Sequence, residues 1–262
     1  MRVTKKADEK STHQLRLLSY NIQGGIETQG YHHYLIRSWQ HVLPHRRKQE
    51  NLDKVAGLIG DYDIVALQET DAGSLRSGFL NQTEYLAKKA HFPFWFDQVN
   101  RNMGKLAQHS NGLLSKSKPT EVIAHKLPGL LPGRGALVAR YRILDKSLMV
   151  IVVHLALGKQ ARMQQLDYIS DLVKTEKYVI LMGDLNCESD SKEMRYLFSK
   201  TQLNEPEQKS HTFPSWKPKR NIDHILVSKS IKVNDMNVLP SGSSDHLPVV
   251  MDIQLNNDSV KH

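Results

Sequence analysis

Ser244-Asp245-His246-Leu247-Pro248-Val249 and, about sixty residues earlier, Gly183-Asp184-Leu185-Asn186 decide how this chain is read. Each sets a carboxylate beside a second hydrogen-bonding or proton-accepting group at the edge of an apolar run. Placed at strand ends, such groups suit water-driven cleavage of a phosphate ester. Oxygens hold a metal, a carboxylate and an imidazole handle the attacking water, and an amide donor meets the developing charge.

Outward from these two stretches, strand signals recur. Leu15 to Tyr20 ends at Asn21, Asp63 to Gln68 ends at Glu69, and Tyr178 to Met182 leads into Asp184. Gly135 to Ile143 and Ser147 to His154 read as a hairpin around Asp145-Lys146, and Ile222 to Val227 and Pro248 to Leu255 complete the set. Continuous runs such as Met149 to Val153 fit strands covered on both faces. Helical stripes fall between some of them: Leu52, Val55, Leu58 and Ile59; Tyr85 and Leu86 behind an Asn81/Glu84 capping box; Met163, Leu166, Ile169 and Val173; and Met194, Leu197 and Phe198 behind Asp190 and Glu193. Strands outnumber helices, and several adjoin with no helix between them. That predicts an α/β (α+β) sandwich of two packed mixed sheets flanked by helices, and not a simple doubly wound sheet. Asn21, Glu69, His154, Asp184 and Asn186 all fall at or just past the ends of apolar runs, where strand ends can gather them at one mouth.

Composition bounds the rest. The 262 residues, 39 % hydrophobic and 24 % charged, suit one large α/β domain. Polar residues 1–13 and 256–262 read as tails around a single domain at 14–255. Lys and Arg outnumber Asp and Glu by 36 to 27, a net charge of +9 that favours polyanionic partners. The one cysteine, Cys187, excludes an intrachain disulfide framework, so a reducing compartment is expected. The basic start leads into charged residues instead of an apolar signal, and no run approaches the ~18 residues of a membrane span. A cytoplasmic protein without a transmembrane segment is the expectation; oligomeric state is left open.

Seven segments, in order, resemble the endonuclease/exonuclease/phosphatase superfamily, the metal-dependent phosphoesterases that include the pancreatic-type deoxyribonucleases. They are Ser19-Tyr20-Asn21-Ile22-Gln23, Leu67-Gln68-Glu69-Thr70, Ser110-Asn111-Gly112-Leu113-Leu114-Ser115, Val153-His154-Leu155, Gly183-Asp184-Leu185-Asn186, Ile222-Asp223-His224-Ile225-Leu226 and Ser244 to Val249. The resemblance implies a four-layer α/β/β/α sandwich with the site between the sheets. It also implies that Asn21, Glu69 and Asp245 serve a divalent cation, Mg2+ or Mn2+, which suits a hard oxygen set. Asp184 would orient or deprotonate the attacking water, and Asn186 would bond the phosphorane oxygens. His246 would contact the scissile phosphate or act as base, His154 would meet the leaving oxygen, and Asp223 would hold one of these groups in position.

The substrate is less legible. Val153 to Gly158 lacks the Tyr-x-Pro-Asn/Gln-Gly stretch of the superfamily's abasic-site endonucleases, which counts against that branch. Phe213-Pro214-Ser215-Trp216 only partly matches an inositol-phosphatase signature, since Lys217 to Arg220 intervene; Trp216 reads as a packing or stacking residue near the mouth. Between Gly24 and Glu50, aromatics (Tyr31, Tyr34, Trp39) interleave with His32, His33, His41, His45, Arg46, Arg47 and Lys48, a composition suited to gripping a nucleic-acid strand or phosphorylated head group. Asn111, Arg101, Arg134 and Lys105 are further candidates for phosphate contacts. The expected partner is nucleic acid, with a phosphorylated lipid or small molecule as the alternative.

Overall fold

The computed structural model describes residues 12–25, 46–102, 108–129, 133–206, 211–240 and 243–256, with the side chains of residues 46, 47, 76, 101 and 102 outside the description. Tyr31 to His45 and Lys105 therefore lie outside the described residues. One sheet runs in the order β11 (Lys232–Val238), β12 (Val249–Asn256), β1 (Thr12–Asn21), β2 (Ile64–Asp71), β4 (Gln108–Ser115), β3 (Phe94–Asn102). The second runs β5 (Glu121–Lys126), β6 (Gly135–Ile143), β7 (Lys146–His154), β8 (Tyr178–Asp184), β10 (Asp223–Ser228), β9 (Leu203–Asn204). Both sheets are mixed. β1 pairs parallel with β2, and β7 with β8, while the neighbours on either side are antiparallel.

The sheets face each other across buried side chains such as Leu17, Ile64, Val150, Val152, Ile180 and Met251. On the far face of the first sheet, α1 (Arg46–Ile59) and α2 (Gln82–Lys89) pack through Leu52, Val55, Ile59 and Leu86. On the far face of the second, α3 (Lys159–Val173) and α4 (Lys192–Lys200) pack through Leu166, Ile169, Met194 and Leu197. Burying each such chain is worth roughly 1.5–3 kcal/mol, and the result is the expected four layers. Asn81 caps α2 by accepting from Glu84 N at 3.1 Å, as the capping box predicts. In α4 the cap is Ser191 and not Asp190: its hydroxyl accepts from Met194 N at 3.2 Å.

Parallel pairing positions the site, because it brings the C-terminal ends of neighbouring strands to one rim. His154, the last residue of β7, sits opposite Asp184, the last of β8. β10 runs antiparallel to β8, so its first residue, Asp223, also meets Asp184. β2 departs from the expected end at Glu69. It continues to Asp71 through a bulge between Leu67 and Thr70, with Glu69 at φ 57°. A bulge re-aims one side chain at a cost of order 1 kcal/mol or more, and here that side chain is the carboxylate singled out in the sequence. β1 and β12 reach Thr12 and Asn256, just into both segments read as tails.

Candidate active site

The predicted residues converge on one oxygen. Asp184 Oδ2 accepts from Asn21 Nδ2 at 3.2 Å, and lies 3.5 Å from His154 Nε2 and 3.9 Å from His246 Nε2. Asp184 is 2 % exposed, so these neighbours replace water around it. Its other oxygen accepts from Asn186 N at 2.9 Å, closing the turn after β8 with Asn186 at φ 54°. The Asn186 amide donates to Leu155 O at 3.0 Å, which leaves its second hydrogen for a ligand.

His246 is held from behind. Its Nδ1 lies 2.9 and 3.0 Å from the two Asp223 oxygens, and Thr212 Oγ1 donates to Asp223 at 2.5 Å. The Phe213 ring packs on the imidazole, centroids 4.8 Å apart. Backbone bonds from Ser215 N to Asp245 O and from Leu247 N to Thr212 O strap this segment to the Asp245-His246 loop. Ser244 donates to Asn21 O at 2.6 Å, tying that loop to the end of β1. Thr212 carries no local signal in the sequence, and the Phe213 to Trp216 stretch gives no sign that Phe213 meets His246. Phe213 is an aromatic residue packed on His246.

These contacts sort the protons. Burial, then the charge of Asp223, pushes the Asp184 carboxyl up to about 7, against the pull of His246 and the bonds from Asn186 and Asn21. Burial opposes charge on His246, but Asp223, Asp184 and Asp245 outweigh it and lift the imidazole to about 10. His154 goes the other way. Burial, then Arg134, His246 and His109, holds it well below 6.5. Glu69 and Asp184 stand near His154, but at 3.9 and 3.5 Å neither makes a hydrogen bond strong enough to reverse that direction, so we treat the ring as neutral. Glu69 is raised by burial and by Asp245; its side chain keeps 32 % of its surface open, so desolvation acts on it less than on Asp184.

The donor set fits a divalent cation. Asp184, Asp223 and His246 offer ligand atoms within 4.8 Å of one another, a group that could hold a metal ion. Glu69, crowded by Asp245 and hydrogen-bonded by Asn21, is the kind of electrostatic conflict that a cation relieves. Asp223 engages His246 Nδ1, which leaves the nearby oxygens as the natural ligands of a hard ion. Beside this centre opens a cavity of about 740 Å3 lined by Glu69, His154, Asn111, Arg134 and residues at the start of α3. Arg101 lies in β3 opposite His109, with its side chain outside the described residues.

The sequence profile of the Endonuclease/Exonuclease/phosphatase family matches residues 18–246. The chain belongs to the endonuclease/exonuclease/phosphatase family. Members of this family hydrolyse phosphoric esters. A family protein from Bacteroides thetaiotaomicron superposes on this family member with TM-score 0.73 at 18 % identity, over 94 % of this chain and 99 % of that one. A mannosyl-6-phosphatase of the same organism gives 0.68 at 19 %, over 91 % and 99 %. Humanized D. rerio TDP2 gives 0.67 at 18 %, over 92 % and 98 %. At these identities the likeness is one of fold. Comparison with curated proteins finds no match. Among the described residues of this family member, no helix is long and apolar enough to cross a membrane.

Proposed function

We propose that the protein is a divalent-metal-dependent phosphoesterase that hydrolyses phosphodiester bonds, with nucleic acid as its substrate class. The observation that carries the reading is the convergence of Asn21, His154 and His246 on Asp184 Oδ2. Asp184, raised to about 7, accepts the proton of the attacking water at that oxygen. His246, held cationic by Asp223, donates Nε2–H to a phosphoryl oxygen, so the cationic contact is favoured over the role of base. Neutral His154 offers its N–H to the leaving oxygen, and the second Asn186 amide hydrogen meets a phosphoryl oxygen. Glu69, Asn21 and Asp245 would hold Mg2+ or Mn2+, which supplies Lewis-acid neutralisation of charge on the phosphoryl group.

The net charge of +9 supports a polyanionic substrate. A second reading, a phosphatase or phosphodiesterase acting on a phosphorylated small molecule, is favoured by the cavity, whose 740 Å3 falls in the range of small-molecule pockets. A hydrolysis panel of plasmid DNA, RNA, sphingomyelin, sugar phosphates and inositol phosphates, with and without Mg2+, tests both. His246→Ala and Glu69→Gln should each lower turnover by roughly 10² or more. Equal turnover by both variants and wild type would sink the mechanism; turnover confined to small phosphates would sink the substrate class.

A further inference from the structure

The parallel pairing of β1 with β2 stops where the proposed cation ligands begin. Asn21 is the last residue in register, opposite Gln68, and beyond it Ile22 N donates to Gln68 O at 3.1 Å. Glu69 follows at once, turned aside by the bulge. Past this point one side chain bridges the two segments. Gln82, 1 % exposed at the start of α2, accepts from Asp71 N at 2.9 Å and donates from its amide to Gly24 O at 2.8 Å. A carboxamide carries the same donor and acceptor as a peptide group, so Gln82 stands in for the next rung of the ladder. The two bonds also fix its orientation, since a flip would break both together.

Both ends of the bridge adjoin the proposed ligands. Asp71 closes the strand that carries Glu69, and Gly24 lies in the turn that follows Asn21. Gln23, within that turn, donates its backbone N–H to Asn21 Oδ1 at 3.1 Å and so helps to aim the Asn21 side chain. The support is itself well held. Thr83, next to Gln82, donates its hydroxyl to Thr70 Oγ1 at 3.2 Å, and Thr70 Oγ1 lies 2.6 Å from Ser110 Oγ on β4. The start of α2 therefore also grips the residue directly after Glu69. Gly112 leaves the space for this approach: a Cβ there would lie 2.7 Å from Thr83 Oγ1. Asn81, the cap of α2, donates to Asp97 Oδ2 on β3 at 2.9 Å. Anchored on β2, β3 and β4, the helix start can hold the Gln82 amide in one place.

We propose that Gln82 is a positioning residue that sets the spacing of Asn21 and Glu69 for a divalent cation. The inference rests on the proposed cation reading for what the spacing serves, and not for the bridge itself. Two measurements on the full chain keep these apart. In calorimetric titrations with Mn2+, Gln82→Met, which keeps the side-chain length and loses both bonds, should bind roughly 10-fold more weakly or worse. Leu86→Val loosens the packing of the same helix and leaves both bonds in place, so it should stay within about 2-fold of wild type even where its Tm falls as far. In metal-free protein, hydrogen exchange is followed at the Ile22 and Gln23 amides, whose acceptors are Gln68 O and Asn21 Oδ1. Exchange there should quicken roughly 10-fold in Gln82→Met and not in Leu86→Val. If Gln82→Met does not fold, Gln82→Glu, which keeps an acceptor for Asp71 N but repels Gly24 O, carries both comparisons. Wild-type Mn2+ affinity or unchanged exchange in the Gln82 variant would overturn the proposal, and so would equal losses in the Leu86 variant. Quickened exchange in a protein that binds no Mn2+ even as wild type would support the spacing role and count against the cation reading alone.

Discussion

Replacing Glu205 probes a buried ion pair that braces the turn after β8 from behind. His224 follows Asp223 in β10 and is fully buried; its Nδ1 lies 2.5 Å from Glu205 Oε1 and its Nε2 2.8 Å from Cys187 O. A carbonyl only accepts, so Nε2 carries a proton, and the carboxylate accepts the other, which makes the ring a cation. Burial opposes that charge, but Glu205 outweighs it and raises His224 above 6.5; burial likewise opposes charge on Glu205, and His224 lowers it below 4.5. His224, raised on folding, contributes stability that is whole below 6.5 and is lost as pH climbs through its folded value. Glu205, depressed, contributes stability that is whole above 4.5 and is lost as pH falls through its folded value. The pair therefore contributes most between about 4.5 and 6.5.

Glu205→Leu leaves either an unpaired buried imidazolium or a neutral ring with a bare Nδ1. Either costs about 3 kcal/mol, a fall in Tm of roughly 6–12 °C for a chain of this size. Glu205→Gln should cost only about 1 kcal/mol, because a rotated amide can donate to unprotonated Nδ1 while Nε2–H keeps Cys187 O. Scanning calorimetry from pH 4 to 9 should show Leu well below Gln, and a wild-type advantage over Gln that peaks near pH 5–6. Equal losses for the two variants, or an advantage constant with pH, would refute the pair as described.

Asp223→Asn should lower turnover by roughly 10² by releasing His246, and, unlike a purely structural lesion, should move the alkaline limb of the pH–rate profile down from the region near 10. Glu69→Gly should raise stability by about 1 kcal/mol in denaturant melts, because φ 57° suits glycine, while turnover disappears. Gly183→Ala should destabilise by more than about 3 kcal/mol, since at φ 148° a Cβ would lie 1.9 Å from Val153 O; wild-type-like melting would show that the β7–β8 pairing had been misread.

The sheets were legible where burial forces a continuous apolar run, as in β7 and β8, or ends one at a polar residue, as in β1. β5 and β11 were not legible, because their positions are mostly half-buried or exposed and no apolar alternation marks them. The bulge at Glu69 was invisible for a different reason: it depends on pairing with β4, and sequence reports the residue but not the register. In the site, Asn21, Glu69, His154, Asp184 and His246 could be named only as a set, because each short motif alone is weak and seven in order carry the resemblance. Their supports could not. Thr212, Phe213 and Glu205 act across gaps of 11 to 33 residues on elements joined only by the fold. Asn111 was read as a candidate phosphate contact, and the fold adds a bond that sequence does not report, from its amide to the Gly135 carbonyl.

In the proposed mechanism, Asp184 drives cleavage by water beside a bound divalent cation. The most direct test is nitrophenolate release from bis(4-nitrophenyl) phosphate by wild type and Asp184→Asn, each with Mg2+ and with chelator. The expected result is release by wild type in Mg2+ alone, with Asp184→Asn slower by roughly 10² or more. Release that persists unchanged in the Asp184→Asn protein would contradict the account.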